Sequence, residues 1–113
     1  MTDSNWQVFD LDALRDKLGG GEVEYLEFLN VPALNCGIYS LPAGSTDMQA
    51  PHDEDEVYLV LKGKARMRVG ADDKEVGPGN LLYISPATEH SFFEIEEDMT
   101  LLVFFAASPL EKP

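Results

Sequence analysis

The chain has 113 residues, of which 44% are hydrophobic and 26% charged, and its 21 Asp and Glu against 8 Lys and Arg give a net charge of −13. This length predicts a single domain over residues 1–113, with one hydrophobic core. A surface this negative repels phosphate backbones and anionic headgroups, and no apolar stretch approaches the roughly 20 residues that span a bilayer. We therefore expect neither a nucleic-acid partner nor a membrane partner.

The cellular location is predicted from two features of the sequence. The N-terminal segment has no basic region followed by an apolar one, which a secretory signal requires. Cys36 is the only cysteine, so no disulfide can form within the chain. Both features favour a reducing, cytoplasmic setting.

A short helix is the first predicted element, at about residues 10–18. Asp10 is suited to the N-cap position, and leucines recur at helical spacing at positions 11, 14 and 18. Glycines at 19–21 end the pattern. No other segment has a convincing helical periodicity.

The rest of the chain reads as short strands divided by turn residues. Candidates are EVEYLEFL (22–29), NCGIYSL (35–41), two runs around Gly63 within 57–70, a brief strand within ADDKEVGPGN, and then LLYIS, HSFFEIE and MTLLVFFAA. Many short strands with Gly and Pro between them predict an all-β sandwich or barrel. We place the barrel core at about residues 22–107.

The only two histidines, His52 and His90, stand where strands are expected to end or begin. In a straight strand His52 and Glu56 would share a face but lie roughly 13 Å apart, at about 3.3 Å per residue, which is too far to share an ion. A tight turn at residues 53–55 would instead let His52 end one strand and Glu56 begin the next. His90 follows the turn cluster at 85–89, so the three side chains could converge at neighbouring strand ends.

These residues carry a resemblance to the cupins. The first cupin motif reads glycine, five residues, histidine, one residue, histidine, three or four residues, glutamate, six residues and glycine, and here Gly44, His52, Glu56 and Gly63 match its spacing. The second motif begins at Gly79 and places its histidine at position 90. The resemblance implies a double-stranded β-helix (jelly-roll) barrel with the short N-terminal helix added, and it makes His52, Glu56 and His90 the metal ligands.

Four positions depart from the cupin motifs. Ala50 stands where the first motif has its leading histidine, and Ser85, Ala87 and Glu94 replace the proline, glycine and asparagine of the second. The remaining two histidines and one carboxylate resemble the set that holds iron with open positions for substrate and oxygen, or they mark a weakened site. Gln49 could add a ligand only if its strand is bulged.

The resemblance implies a metal-dependent enzyme that acts on a small organic molecule. The ion would be divalent Fe, Mn, Zn or Ni; Fe would suit a dioxygenase, and Zn, Mn or Ni a Lewis-acid isomerase, cyclase or lyase. Tyr39, Tyr58 and Glu94 are the candidate catalytic residues. The alternative is a non-catalytic small-ligand-binding or sensor cupin with a weakened metal site, which Ala50 favours. We also expect a homodimer, because compact cupins commonly pair through sheet edges or faces.

Overall fold

The computed structural model describes residues 5–47 and 51–106. One short helix, α1 (Leu11–Arg15), precedes six strands. The strands are β1 (Glu24–Val31), β2 (Leu34–Leu41), β3 (Glu56–Val69), β4 (Asp72–Val76), β5 (Leu81–Ile84) and β6 (His90–Ala106). They pair in the order β1-β2-β6-β3-β4, with β5 also on β3, and every pairing is antiparallel. The predicted all-β fold with a short N-terminal helix is confirmed.

Two long strands organise the sheet, and each was predicted as two separate strands. The first part of β3 pairs with β5 and with the C-terminal part of β6, whereas its second part pairs with β4 and with the N-terminal part of β6. The register of β3 against β6 shifts three times between Val60 and Arg66. Such irregularities bend a strand pair strongly, so β3 and β6 fold over together and enclose the interior of the barrel.

Gly63 lies at this bend and explains why the sequence suggested a strand end there. Its φ is +100°, and a Cβ atom at this position would come within 2.5 Å of the Asp98 carbonyl oxygen on β6. Only glycine fits both the conformation and the close backbone approach. The glycine therefore marks a fold in a continuous strand, where the sequence analysis placed a break.

Two apolar clusters lie on opposite faces of the sheet. The inner cluster fills the barrel and includes Tyr39, Leu41, Tyr58, Val60, Ala65, Met67, Val76, Ile84, Phe92, Ile95, Met99, Leu101 and Val103. The outer cluster joins α1 to the sheet through Leu14, Ile38 and Leu102. Residues alternate between these faces along each strand, so one strand serves both clusters.

Helix α1 begins where the sequence predicted and ends one turn earlier. Asp10 caps it by accepting a hydrogen bond from the Asp12 amide at 3.2 Å. After Arg15 the chain tightens into a turn in which the Leu18 amide donates to the Arg15 carbonyl at 3.0 Å. Leu11 and Leu18 still pack against the outer cluster, so the predicted apolar face is kept without a full second turn.

Within the described ranges no helix has the length and apolar character that crossing a membrane demands.

The segment before β3 differs from the prediction. Glu56 does begin β3 and residues 53–54 do bend, but His52 belongs to no strand. Its backbone is held by the loop between β5 and β6, because its carbonyl oxygen accepts a hydrogen bond from the Ala87 amide. Gln49 and Ala50 lie outside the described residues, as does position 107.

Candidate functional site

Glu56 and His90 meet inside the barrel, although their strands do not place them side by side. Glu56 opens β3, and His90 opens β6 opposite Val69 at the far end of β3. The bend in both strands brings the side chains together, with His90 Nε2 3.1 Å from Glu56 Oε1. Both residues are buried, with relative exposures of 5% for His90 and 1% for Glu56.

Hydrogen bonds fix the orientation of the His90 ring. Nδ1 lies 2.8 Å from the Thr88 carbonyl oxygen, which can only accept, so Nδ1 carries a hydrogen. Nε2 therefore faces inward, toward Glu56 Oε1 and the Tyr58 hydroxyl, the latter at 3.2 Å. A histidine whose Nδ1–H is bound to a backbone carbonyl has the arrangement that most metal-ligating histidines use.

The surroundings of His90 act on its pKa in opposite directions. Burial lowers the pKa, because the imidazolium loses water. The Glu56 carboxylate, the Thr88 carbonyl and Asp47 raise it, and together they place the pKa of His90 above the ordinary 6.5. The carboxylates around this ring thus favour a positive charge at this point of the barrel.

The hydrogen bonding of the buried Glu56 carboxylate depends on the protonation of His90. When His90 is neutral and carries its hydrogen on Nδ1, neither Glu56 oxygen has a hydrogen-bond partner among the described groups, although His90 Nε2 lies 3.1 Å from Oε1. A buried acid in this state is costly, and native structures rarely leave one without a reason. A cation bound between Glu56 and His90 would remove the cost, so this pair fits a metal ion.

His52 stands beside the pair without completing it. Its side chain is half-buried, and its ring centre is 6.3 Å from that of His90 and 4.8 Å from that of Phe105. Two imidazoles on one tetrahedral ion would have ring centres about 5 Å apart. Accordingly, no three His, Cys, Asp or Glu side chains of ranges 5–47 and 51–106 are arranged to hold one ion.

The three candidate catalytic residues separate in the structure. Tyr58 is fully buried and contacts His90. Tyr39 donates a hydrogen bond to Asp47 at 2.7 Å, and burial, followed by that bond, raises the pKa of Tyr39 well above 10. Glu94 does not face the site: the burial alternation shared by His90 and Phe92 breaks there, and Glu94 is exposed near Arg66.

Three residues around the site were not anticipated as contributors: Asp47, Tyr25 and Phe105. Asp47 is buried and accepts hydrogen bonds from the Tyr39 hydroxyl and, at 2.8 Å, from the Phe92 amide. The other two help to line a cavity of about 200 Å³. Its lining residues are Tyr25, Tyr39, His52, Tyr58, Val103 and Phe105. Two signals in the sequence could have indicated these residues. Asp47 is the lone acid directly after the uncharged turn at 42–46, and the alternation of β1 and β6 gives the face on which Tyr25 and Phe105 lie.

Two departures from the cupin motifs coincide with unusual backbone. Among the described non-glycine residues, only Ala87 (φ 57°) and Glu94 (φ 47°) have positive φ. These are the positions where the motif has glycine and asparagine, the two residues that adopt this left-handed conformation most readily. At both positions this chain has a left-handed backbone without a residue type that adopts it readily.

Comparison with known proteins agrees with this geometry. A model of the cupin domain family matches residues 37–105, more than half of the chain, and the chain belongs to this family. It is also 38% identical over 100 residues to an uncharacterized protein of Streptomyces coelicolor, covering 88% of this chain and 95% of that protein.

Solved structures extend the likeness of fold. The protein TT1209 from Thermus thermophilus is 23% identical, with a TM-score of 0.75 over 92% of this chain and 100% of that one. The DMSP lyase DddQ from Ruegeria pomeroyi is 20% identical, with a TM-score of 0.72 over 86% of this chain. This chain spans about half of the lyase, since the match covers 54% of it. At these identities the similarity concerns the fold alone.

Proposed function

We propose that this cupin is a metal-dependent enzyme acting on a small organic molecule, with a divalent ion held by Glu56, His90 and His52. The observation that carries the proposal is the buried Glu56 carboxylate 3.1 Å from the inward-facing Nε2 of His90, where neutral His90 has no hydrogen to donate to it. Two imidazoles and a carboxylate suit Fe, Mn, Zn or Ni. His52 would approach His90 from its present position beside Phe105.

The surrounding residues have separate roles in this proposal. Thr88 holds the His90 tautomer through its carbonyl oxygen, and the Tyr58 hydroxyl, 3.2 Å from Nε2, is a group outside the proposed ligand set that could give or take a proton. The bound ion would supply either oxygen activation or Lewis-acid polarisation of a substrate oxygen. The aromatic cavity beside the site would hold the substrate away from water. The fold shared with a DMSP lyase supports an enzyme, and lyase chemistry is one of the Lewis-acid options.

Metal content measured on single variants tests the ligand set. Protein purified without added metal, then stripped with chelator and reloaded, is expected to bind about one divalent ion per chain by mass spectrometry of the metal. Glu56→Gln and His90→Gln should each lower metal affinity by at least about a hundredfold, since each removes one of few ligands. His52→Gln should lower it less, because His52 lies farther from the pair.

Glu94→Gln is the matched control. It removes a carboxylate from the same strand as His90, at an exposed position outside the site, and it should keep the metal content of the parent protein. Sub-stoichiometric metal that is unchanged by Glu56→Gln would contradict the enzyme proposal. That result would favour the second candidate, a non-catalytic ligand-binding or sensor cupin. One observation already supports this candidate: no three possible ligands among the described residues are arranged to hold one ion.

Two further expectations stay predictions. A homodimer would give twice the chain mass by light scattering, and fractionation of the source cell would show whether the protein is cytoplasmic. Neither result affects the ligand assignment.

A further inference from the structure

The cavity beside the Glu56–His90 pair is partly open and is lined mainly by aromatic rings. Five of its six lining residues within the described ranges carry rings, and Val103 is the sixth. The rings of Tyr25 and Tyr39 meet at 71° with centroids 6.2 Å apart, and those of His52 and Phe105 meet at 61° with centroids 4.8 Å apart. In each pair the edge of one ring meets the face of the other, so the two pairs supply two aromatic walls of the cavity, which we call the box.

Gly37 allows Tyr25 to form one wall of this box. A Cβ atom at Gly37 would overlap the phenol ring of Tyr25, whose strand pairs directly with that of Gly37. Gly37 does not have a positive φ; the glycine serves to make room for the ring. Burial, reinforced by nearby acids, raises the pKa of Tyr25 to about 12, so this wall stays neutral at ordinary pH.

The electrostatic environment of the cavity favours a positive charge. Among the residues that the structure describes, no Lys or Arg lines the cavity. Tyr39 hydrogen-bonds to the Asp47 carboxylate, Tyr58 contacts His90 beside Glu56, and the whole chain carries a net charge of −13. Aromatic faces attract cations through their quadrupoles when the cation lies within about 6 Å of the ring centre.

We propose that this cavity binds a small organic cation with methyl groups on its charged atom, of the quaternary ammonium type. The methyl groups would contact the ring faces, and the charge would interact with the rings and the buried carboxylates. A cavity of about 200 Å³ limits the ligand to a small molecule. The inference rests on the proposed function only where it makes this cation the substrate; the binding itself needs no metal.

Choline and its neutral tert-butyl analogue, in which carbon replaces the nitrogen, are the probes. The two molecules have nearly the same shape, so titration calorimetry on the full chain isolates the effect of charge. We expect choline to bind at least about tenfold more tightly than the neutral analogue. Equal affinity, or no binding of choline, would overturn the proposal.

Variants assign the binding to the cavity. Tyr25→Leu keeps an apolar wall and removes the ring, and it should weaken choline binding about two- to fivefold. Gly37→Ala should have a similar effect by displacing the Tyr25 ring, and because Tyr25 is 46% exposed the ring can move outward without unfolding the chain. Tyr83→Leu is the matched control, since Tyr83 is 63% exposed on β5 and lies outside the cavity. Choline binding that is as sensitive to Tyr83→Leu as to Tyr25→Leu would refute the assignment.

Metal content measured on the same samples separates the two proposals. Choline binding without stoichiometric metal would contradict the proposed function and support the cation site. Stoichiometric metal without selective choline binding would support the proposed metal site and overturn the cation site.

Discussion

Two buried carboxylates of the same barrel differ in their hydrogen bonding. Asp47 is 7% exposed, and its two oxygens accept hydrogen bonds from the Tyr39 hydroxyl and the Phe92 amide. Glu56 is 1% exposed, and neither of its oxygens has a hydrogen-bond partner among the described groups. Satisfied buried acids hold a fold together, whereas unsatisfied ones weaken it.

The contrast distinguishes a region that holds the barrel together from the region proposed to bind the ion. Asp47 ties the turn after β2 to β6 through its bond with the Phe92 amide. The region around Glu56 also contains Ala87, a non-glycine residue with positive φ that is hydrogen-bonded to the His52 backbone. Unpaired charge and backbone strain of this kind tend to be retained at sites where they serve binding or catalysis.

Among the substitutions that test this contrast, Asp47→Asn is expected to change the free energy of unfolding most. The Asn oxygen would accept from the Phe92 amide, and the Asn nitrogen would face the Tyr39 hydroxyl oxygen, so the Tyr39 O–H hydrogen loses its acceptor and the bonds to a charged group become neutral ones. The free energy of unfolding should fall by about 2–4 kcal/mol in urea denaturation. Glu96→Gln, at a side chain 64% exposed, should change it by less than about 0.5 kcal/mol. A loss of stability in Asp47→Asn no larger than that in Glu96→Gln would contradict a structural role for Asp47.

Glu56→Gln should act in the opposite direction in metal-free protein. Measured with chelator at mildly alkaline pH, the free energy of unfolding should rise by about 1 kcal/mol, because the side chain keeps its shape and loses an uncompensated charge. Under the proposed function the same variant loses metal affinity, so the substitution should raise stability while it lowers metal binding. A fall in stability of more than about 1 kcal/mol would show that the contact with His90 outweighs the cost of burial.

Ala87→Gly is expected to give the smallest effect, a stabilisation of about 0.5–1 kcal/mol. The left-handed conformation costs alanine about 1–2 kcal/mol, and the greater freedom of glycine in the unfolded chain offsets part of the gain. Thermal unfolding of the variant measures it. Ala43→Gly makes the same substitution in an exposed turn where φ is not positive, and should destabilise the protein. Equal changes in the two variants would refute the strain at Ala87.

The local features of the fold could be predicted from the sequence, and those that depend on distant contacts could not. The cap at Asp10 and the strand starts at Glu56 and His90 follow from turn and cap residues nearby in the chain. The continuity of β3 was missed because Gly63 has the same signature at a bend as at a strand end. The role of Asp47 depends on a contact with Phe92, 45 residues away, which no local pattern reports.

Within the site, residue types were easier to predict than orientations. Motif spacing identified His52, Glu56 and His90 as the ligand set, and the structure brings Glu56 and His90 together. Glu94 was a candidate catalytic residue, but the left-handed backbone at this position breaks the strand alternation, and its side chain is exposed. The position of His52 depends on the Ala87 amide and the Phe105 ring, both remote in sequence.

The placement of Glu56 and His90 at the first residues of β3 and β6 has a consequence for folding. Neither local hairpin formation nor the pairing of β1 with β2 brings these side chains together; only the folding over of the two long strands does. Non-local strand pairing of this kind forms slowly. Ion capture by this pair would therefore be a late event, and retained metal would serve as a marker of chains that have completed folding.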